Sequence, residues 1–458
     1  MLIIDLMRYF VFGLQNFIPV VTTQWSSIIL PVILKENFHI EDEGSIGRLA
    51  SLFFASFFSG MIIGCVLWPF LSTFVEKRTA LLISVIGIGL LNGLSGMRSS
   101  ITLVILCRFL AGILLNIHTV GKDFLFQFVK PSHRQFVLSI DSAFGLLAHL
   151  VSPHLGVLLY DWSDRSFKKS TFMIMILFMI VSLLFILVFF LYDSSLDRGY
   201  LEDSETESLL SRSTEELNKG NLFIFALRAL RKKELRNGMI VFALATACTN
   251  CDLVVSVILL QTKWSDGGYG IEPMMLSNIS MISYPFALFI LFICPILVRG
   301  PRSRGFAISL FLLIFALSVS LTPLWRDVYG ESKAIKIVLW TQLIKYITNS
   351  HIFSPFMHFT INIQAKKTER TLANSLNFII STSTTVIMMN TVVPLISMSL
   401  HWQTFKKFEP WNRYLCFHML FFIQMIAIYL IFRTINSSKR VKDRSLVPES
   451  SAIMIEAI

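Results

Sequence analysis

The sequence predicts an all-α membrane protein with twelve transmembrane helices in two six-helix halves, and two observations lead to this prediction. The first is composition: hydrophobic residues make up 54% of the 458-residue chain and charged residues only 15%, and the mean hydropathy is +0.67. A single soluble core stops growing well below this size and does not need so many apolar residues. The second is the spacing of the apolar residues, which form long runs between short polar connections.

The apolar runs are long enough to cross a membrane. A spanning helix needs roughly 20 apolar residues, and a tilted one takes up to about 25. The first run is too long for the core of a secretory signal peptide and lacks a small-residue cleavage site, so we interpret it as a transmembrane helix. The predicted spans are 7–33, 47–72, 79–97, 101–125, 136–160, 170–192, 238–261, 275–298, 305–324, 334–358, 372–399 and 413–433.

The longest polar stretch between spans divides the chain. We expect a first half at 1–192, a cytosolic linker at 193–236, a second half at 237–433 and a cytosolic tail at 434–458. The linker begins acidic and serine-rich, which favours disorder, and ends in ALRALRKKELR, which suits a helix on anionic lipid. Two halves of this kind place a binding site at mid-depth between them.

The distribution of basic residues predicts the orientation of the chain. Lysine and arginine are more numerous in the connections that are cytosolic when both termini are cytosolic, largely because of the linker, and the positive-inside rule favours that orientation. We therefore attribute the net charge of +11 to membrane topology and expect no nucleic-acid partner. The sequence has no GxxxxGK phosphate-binding motif, which argues against ATP-driven pumping, and we expect no cofactor.

Arg108 lies near the middle of the apolar run ITLVILCRFLAGILLNI at 101–117. A charge in hydrocarbon costs from about 2.5 to more than 10 kcal/mol, depending on the scale, so it persists only where it faces protein or water. At 1.5 Å per residue, Arg108 lies roughly 10 Å from the start of its span. Two interpretations stay open: a polar group in a central cavity, or one partner of a structural ion pair.

Two stretches of the first half contain motifs. They are GCVLWPFLSTFVEKRTALL, which begins at Gly64 between spans 2 and 3, and RFLAGILLN, which begins at Arg108 in span 4. Both resemble motifs of the major facilitator superfamily, in the form found in its drug:proton antiporter-like and zinc-induced-facilitator-like members. The first is similar to the superfamily's loop motif, which Trp68, Lys77 and Arg78 match, and the second is similar to its RxxxG motif of span 4.

A third motif lies in span 5. The stretch GLLAHLVSPHLGVLLYD is similar to the antiporter motif GxxxGPxxGG and retains Gly145, Pro153 and Gly156. Looser matches occur at 296–306 and 362–378, so the resemblance covers about the whole membrane portion. It implies the major facilitator fold and secondary active transport of a small molecule or ion by alternating access, with proton coupling.

The resemblance also implies that spans 1, 4, 7 and 10 line the transport path, which places Arg108, Asp252 and Lys345 on path helices. An aspartate that alternates between an ion pair and a protonated acid would couple protons to the solute. A fixed salt bridge between the halves is the alternative. Amides of the same spans are candidates either for contacts to a polar solute or for interhelical hydrogen bonds. They are Asn16, Gln24, Asn116 and Gln342.

Two further features concern a loop carboxylate and a possible metal site. Asp141 lies near the cytosolic end of span 5, and because Thr73 stands where the superfamily's loop has a carboxylate, we expect Asp141 to take part of that role beside Arg78. Cys248 and Cys251 form a single CxxC in span 7, which is a poor indicator of zinc without a second pair, so we predict no metal site.

Other classes of protein were compared with the transporter. A multi-pass enzyme such as an acyltransferase needs histidine and a carboxylate together at a membrane face, and the one HxxxxD pattern, His118–Asp123, lies within the predicted span 101–125. A relative that has lost transport and acts as a sensor or structural protein stays open, because the loop motif is incomplete. The linker segment ETESLL, Glu205–Leu210, matches the acidic dileucine pattern that sorting adaptors bind, so endosomal or vacuolar membranes are candidates beside the plasma membrane.

Overall fold

The protein is helical almost throughout its described part. The computed structural model describes residues 10, 13, 17, 20–71, 74–97, 100–115, 120–121, 134–188, 231–297, 301–348, 370–395 and 414–445. In chain order the helices are α1 Leu30–Glu36, α2 Glu43–Leu71, α3 Lys77–Ser95, α4 Ile101–Leu114, α5 Arg134–Trp162, α6 Phe167–Ile186, α7 Lys233–Gln261, α8 Pro273–Leu297, α9 Pro301–Val328, α10 Glu331–Thr348, α11 Arg370–Thr391 and α12 Leu415–Ser445.

The helices fit a protein that crosses the membrane many times. Nine of the helices in the described ranges are long and apolar enough to span a bilayer, and α4 is a shorter apolar helix of 14 residues. The predicted spans that contain α1, α4 and α10 each continue into residues outside the described part. A multi-pass, all-α membrane protein, as the sequence predicted, is confirmed.

The pattern of helix contacts repeats after six helices. In the first half α2 and α3 both pack on α4, and α3 also packs on α6. In the second half α8 and α9 both pack on α10, and α9 also packs on α12. Between the halves α2 packs on α11 and α5 packs on α8. Since α8 is the equivalent of α2 and α11 is the equivalent of α5, exchanging the halves turns one contact into the other. The two halves are therefore structural repeats, which is the arrangement expected of a transporter fold.

Small residues bring α2 and α4 close together. A Cβ atom placed on Gly64 would lie 2.6 Å from the carbonyl oxygen of Ile113, so the two backbones touch at this crossing. Gly60 and Gly112 lie at the same crossing and face backbone atoms of the opposite helix. The indole nitrogen of Trp68 donates a hydrogen bond to the Ile113 carbonyl at 2.8 Å. Close backbone approach at small residues is a common way to join membrane helices, and here it fixes the helix that carries Arg108.

The first predicted span is not one continuous helix. Residues 20–24 are helical, residues 25–29 form turns, and α1 then begins at Leu30. Pro31 lies in the first turn of α1 and has no N–H to donate, so the backbone hydrogen bond that would run from residue 31 back to the Ser27 carbonyl is absent. The backbone N–H of Ser27 bonds instead to the Gln24 carbonyl, three residues back. We call residues 25–29 the span-1 break. Its backbone polar groups lie inside the bundle.

The two halves meet at the end of the bundle where α1 ends and α2 begins, which we call the α1–α2 end. One hydrophobic cluster there takes side chains from both halves, among them Trp25, Ile28, Ile258 and Met389. Within the described ranges, four hydrogen bonds also cross between the halves towards this end. They are Ser51 Oγ to the Met389 carbonyl (2.5 Å), Gln261 Nε2 to the Ile28 carbonyl (2.5 Å), Ser280 Oγ to the Leu150 carbonyl (2.7 Å) and the His154 Nδ1–Ser277 Oγ contact (3.1 Å).

Candidate functional site

A buried ion pair lies in the second half. Lys345 Nζ on α10 is 2.8 Å from Asp252 Oδ1 on α7, and the two residues are 3% and 5% exposed. Ser256, one helical turn after Asp252, donates its hydroxyl to Asp252 Oδ1 at 2.8 Å and accepts a hydrogen bond from Lys345 Nζ at 2.7 Å. The three side chains therefore close a ring of hydrogen bonds, which we call the charge triad (Asp252, Ser256 and Lys345).

The charge triad is stable only as a unit. Burying one charge without its partner is strongly unfavourable, whereas a paired and hydrogen-bonded set offsets much of the desolvation. Ser256 contributes by satisfying hydrogen-bonding capacity of both charged groups. The arrangement joins α7 to α10, two helices on which the sequence predicted charged groups of the transport path.

Arg108 lies in a different environment, within the first half. Its guanidinium donates to the Thr22 carbonyl and, at 3.1 Å, to Ser26 Oγ. The central carbon of the guanidinium lies 4.1 Å from the centroid of the Phe53 ring, which is a cation–π geometry. Arg108 is 4% exposed, so its charge is shielded from solvent and surrounded by dipoles and an aromatic face.

The structure thus divides the three predicted charges between two places. Asp252 and Lys345 come together, and the contacts of Arg108 in the described residues are all with its own half. In the described residues Asp252 pairs with Lys345 and not with Arg108. Arg108 instead contacts the helical turn that precedes the span-1 break and the Ser26 hydroxyl within it.

The other candidates on path helices are partly described. Gln24 is 5% exposed and Gln342 is 4% exposed, and Gln342 Nε2 is buried without a hydrogen-bond partner in the described residues. Asn16 and Asn116 lie outside the described residues. Cys248 and Cys251 are fully buried, and Cys248 Sγ lies 3.8 Å from the Leu420 carbonyl.

The loop motif between spans 2 and 3 is built mainly on α2. Gly64 and Trp68 make the α2–α4 contacts described above, and Lys77 begins α3. Arg78 Nε bonds to Glu76 Oε1 at 2.7 Å. The side chain of Asp141 lies outside the described part, so its expected role beside Arg78 stays a prediction.

The glycines of the span-5 motif differ sharply in their surroundings. A Cβ on Gly156 would collide with the carbonyl oxygen of Trp25 and lie 2.6 Å from its carbonyl carbon, so α5 touches the span-1 break directly. A Cβ on Gly145 would meet nothing within 4 Å. Pro153 is a buried proline inside α5, between these two positions.

Sequence reasoning missed three residues of these sites. Ser256 was detectable, because its i+4 spacing from Asp252 puts both side chains on one face of a helix. Trp25 and Gln261 had no such indication, since their importance depends on a break in a helix that the apolar pattern reads as continuous. The Trp25 ring stacks on Phe167 at 6.3 Å, and its indole nitrogen is buried without a partner in the described residues.

Gln261 links the end of α7 to the span-1 break, and we predict that Gln261→Met loosens this link. The variant keeps a similar volume but leaves the Ile28 carbonyl without its donor. Interhelical hydrogen bonds in membrane proteins average about 0.6 kcal/mol, so we expect hydrogen–deuterium exchange in peptides covering residues 20–36 to become roughly threefold faster.

Thr262→Val provides the matched control for Gln261→Met. The Thr262 hydroxyl bonds at 2.8 Å to the Ile258 carbonyl of its own helix, so its loss removes a neighbouring hydrogen bond that does not cross between the halves. We expect this control to leave exchange at residues 20–36 unchanged. Equal acceleration in both variants would show that Gln261 has no special role in joining the halves.

The fold and its buried charges define the class of protein. An all-helical bundle of two repeated halves, with many membrane-length helices and charged groups deep inside, has the architecture of a polytopic membrane transporter. The sequence profile of the Major Facilitator Superfamily matches residues 9–389. The chain belongs to this superfamily, whose members are transporters, and its fold is the major facilitator fold.

Solved structures support the fold. A D-xylose-proton symporter aligns with a TM-score of 0.66 and 13% identity over 94% of this chain and 97% of the symporter chain. A bacterial homolog of the human lysosomal transporter Spinster, in an inward-facing and occupied conformation, aligns with a TM-score of 0.66 and 12% identity over 93% and 96%. The same homolog, inward-facing and unoccupied, gives 0.65 and 13%. No curated protein sequence matches the chain significantly.

Proposed function

We propose that this chain is a proton-coupled secondary transporter of a small solute, and that the charge triad is its proton-coupling site. The observation that carries the proposal is the ring of hydrogen bonds joining Asp252, Ser256 and Lys345 inside the bundle. Ionisable groups at this depth of a membrane protein are costly and are typical of ion and proton pathways. Separation of Asp252 from Lys345 would change the charge state of the charge triad.

The coupling step follows from the energetics of buried charge. While Asp252 and Lys345 are paired, each offsets the charge of the other. If α7 and α10 separate, Asp252 is left unpaired in an apolar site, and taking up a proton from water removes its charge. When the helices approach again, Asp252 releases the proton and the pair forms once more. A proton therefore crosses with each cycle if the two arrangements open to opposite sides.

The halves supply the motion that this cycle needs. They contact each other through α2–α11 and α5–α8, and the hydrogen bonds between them lie towards the α1–α2 end. Rocking of one half against the other would break those bonds and open that end. Transporters built from repeats commonly alternate access in this manner.

The proposal extends to details that the motifs favour. We place the chain in the drug:proton antiporter-like and zinc-induced-facilitator-like group because of the motifs at Gly64, Arg108 and Gly145. We propose that the two halves comprise residues 1–192 and 237–433 and that both termini are cytosolic. Glu205–Leu210, outside the described residues, is proposed as a sorting-adaptor motif for an endosomal or vacuolar membrane.

Proteoliposome uptake tests the proposed function. The full chain is reconstituted, and radiolabelled monocarboxylates, sugars and amines are offered with and without a pH gradient. We expect at least one solute class to accumulate only when the gradient is present, and the Asp252→Asn, Lys345→Met double variant to lose that accumulation. A chain that moves no solute under any gradient, or moves one equally well without a gradient, would overturn the proposal.

A further inference from the structure

The positive charge of Arg108 has no matching negative charge in the described structure. Its contacts are the Thr22 carbonyl, Ser26 Oγ and the Phe53 ring, and no carboxylate of the described residues forms an ion pair with it. Lys345, the other deeply buried cation, has Asp252 at 2.8 Å. Among the described residues, the buried site of the second half is therefore locally neutral, and the buried site around Arg108 carries an excess positive charge.

Within the described residues, a second side chain with an unused N–H donor, Trp25, lies beside Arg108. Trp25 is fully buried, and its Nε1–H has no hydrogen-bond partner in the described residues. The Trp25 ring centroid is 6.0 Å from the guanidinium carbon of Arg108. A guanidinium offers five N–H donors, of which the described contacts use two. Both side chains therefore have N–H donors that a further acceptor between them would satisfy.

The surrounding chain is polar where a membrane helix is usually apolar. Every residue of the run TTQWSS is buried. Unwound segments of membrane helices are where transporters commonly bind solutes, because their backbone groups are free to make contacts. The polar members of this run are Thr22, Thr23, Gln24, Ser26 and Ser27.

A small apolar gap adjoins the two phenylalanine rings that contact Arg108 and Trp25. Its walls include Phe53, which covers Arg108, and Phe167, which stacks on Trp25. The rest of the lining is also hydrophobic, and the gap is too narrow for a solute in this state, so a solute whose charged end met Arg108 could place an apolar end here only after the halves separate. Other residues of the wall are Leu30, Ile33, Phe38 and Leu49.

We infer that Arg108 and Trp25 form the recognition site for a small apolar solute with a single carboxylate. A carboxylate is an acceptor only, so it suits two side chains that are donors only, and its single charge matches the excess charge of the site. Arginine binds carboxylates with two parallel hydrogen bonds, which gives orientation as well as attraction. The inference rests on the proposed transport function, because it names the class of solute that this transporter carries.

Access to the site depends on the contact between the halves. Ile28, three residues after Trp25, accepts the hydrogen bond from Gln261 of the second half. Separation of the halves at the α1–α2 end removes that bond and uncovers the span-1 break. The recognition site is thus placed where opening of the bundle exposes it.

Equilibrium binding to the purified full chain tests this inference. The probes are benzoate and its neutral isostere benzamide, compared by the melting temperature of the protein at constant ionic strength without any pH gradient. We expect benzoate to stabilise the chain saturably and benzamide to have no effect. In Arg108→Gln the dissociation constant for benzoate should rise at least tenfold, and in Trp25→Phe, which keeps the ring but removes the N–H, severalfold.

Arg326→Gln is the matched control, since Arg326 is a partly buried arginine that bonds to the Trp264 carbonyl, away from the proposed site. It should bind benzoate as the unmodified chain does. Equal stabilisation by benzoate and benzamide, or unchanged benzoate affinity in Arg108→Gln or Trp25→Phe, would overturn the inference. If Arg108→Gln does not fold, Trp25→Phe and the comparison of the two probes still decide it.

The outcome is separable from that of the proposed function. Benzoate binding that needs Arg108, in a chain whose uptake ignores the pH gradient, would support the inference and contradict proton coupling. Gradient-driven uptake of a sugar or an amine, with no binding of benzoate, would support proton coupling and contradict the inference.

Discussion

Gly156→Ala is expected to destabilise the protein by about 2 kcal/mol, although the change adds a single methyl group. The new Cβ would occupy the position of the Trp25 carbonyl oxygen, so α5 and the span-1 break would have to separate. Overpacking costs typically 1–3 kcal/mol, and the upper end applies because the obstacle is backbone, which cannot change rotamer. The gain in helix propensity from glycine to alanine, about 1 kcal/mol, offsets only part of this. Melting temperature and monodisperse yield in detergent measure the effect.

Gly145→Ala is the control for that experiment. It makes the same substitution in the same helix, eleven residues earlier, where a Cβ meets nothing within 4 Å. We expect unchanged or slightly raised stability. If the two variants behave alike, the close approach of α5 to Trp25 is not what makes glycine necessary at position 156.

Lys345→Met should destabilise the second half by about 3–5 kcal/mol, because it leaves Asp252 charged and buried with only the Ser256 hydroxyl as a partner. Adding Asp252→Asn removes the stranded charge, and we expect the double variant to recover most of the lost stability. Unfolding in mixed micelles gives the free energies for the unmodified chain, both single variants and the double variant.

An exposed pair with nearly the same geometry separates burial from charge in this experiment. Lys169 Nζ lies 2.7 Å from Asp164 Oδ2 at the surface, and hydrogen bonding to Lys169 lowers the pKa of the Asp164 carboxyl below its usual value. Lys169→Met should change stability very little, since exposed pairs are screened by water and salt. A loss as large as that of Lys345→Met would show that burial is not what makes the charge triad sensitive.

The fold was largely predictable from the sequence, because a bilayer imposes a length on each helix and the apolar runs report that length directly. The predicted span at 79–97 coincides closely with α3, Lys77–Ser95. The span-1 break was not predictable in this way. The sequence of residues 25–29 fits an apolar helix as well as it fits a turn. Pro31 is the local indication of a helix break.

The site was predictable to the level of residues but not of partners. Arg108, Asp252 and Lys345 were singled out because charges inside membrane spans are rare, and all three are indeed deeply buried. Which of them pair depends on how helices from one half face each other, and a single sequence contains no such distances. The neighbours of Arg108, notably Trp25 and Phe53, are apolar residues that look like any others in a membrane protein.

The hydrogen bonds between the halves have a consequence for comparing related sequences. In three of them, from Ser51, Gln261 and Ser280, the acceptor is a main-chain carbonyl, at Met389, Ile28 and Leu150. Every amino acid supplies that carbonyl, so the side chain at the accepting position is free to vary while the bond persists. Related chains should therefore retain a donor on one side without any correlated change on the other. Methods that detect contacts through paired substitutions would therefore overlook these hydrogen bonds between the halves at the α1–α2 end.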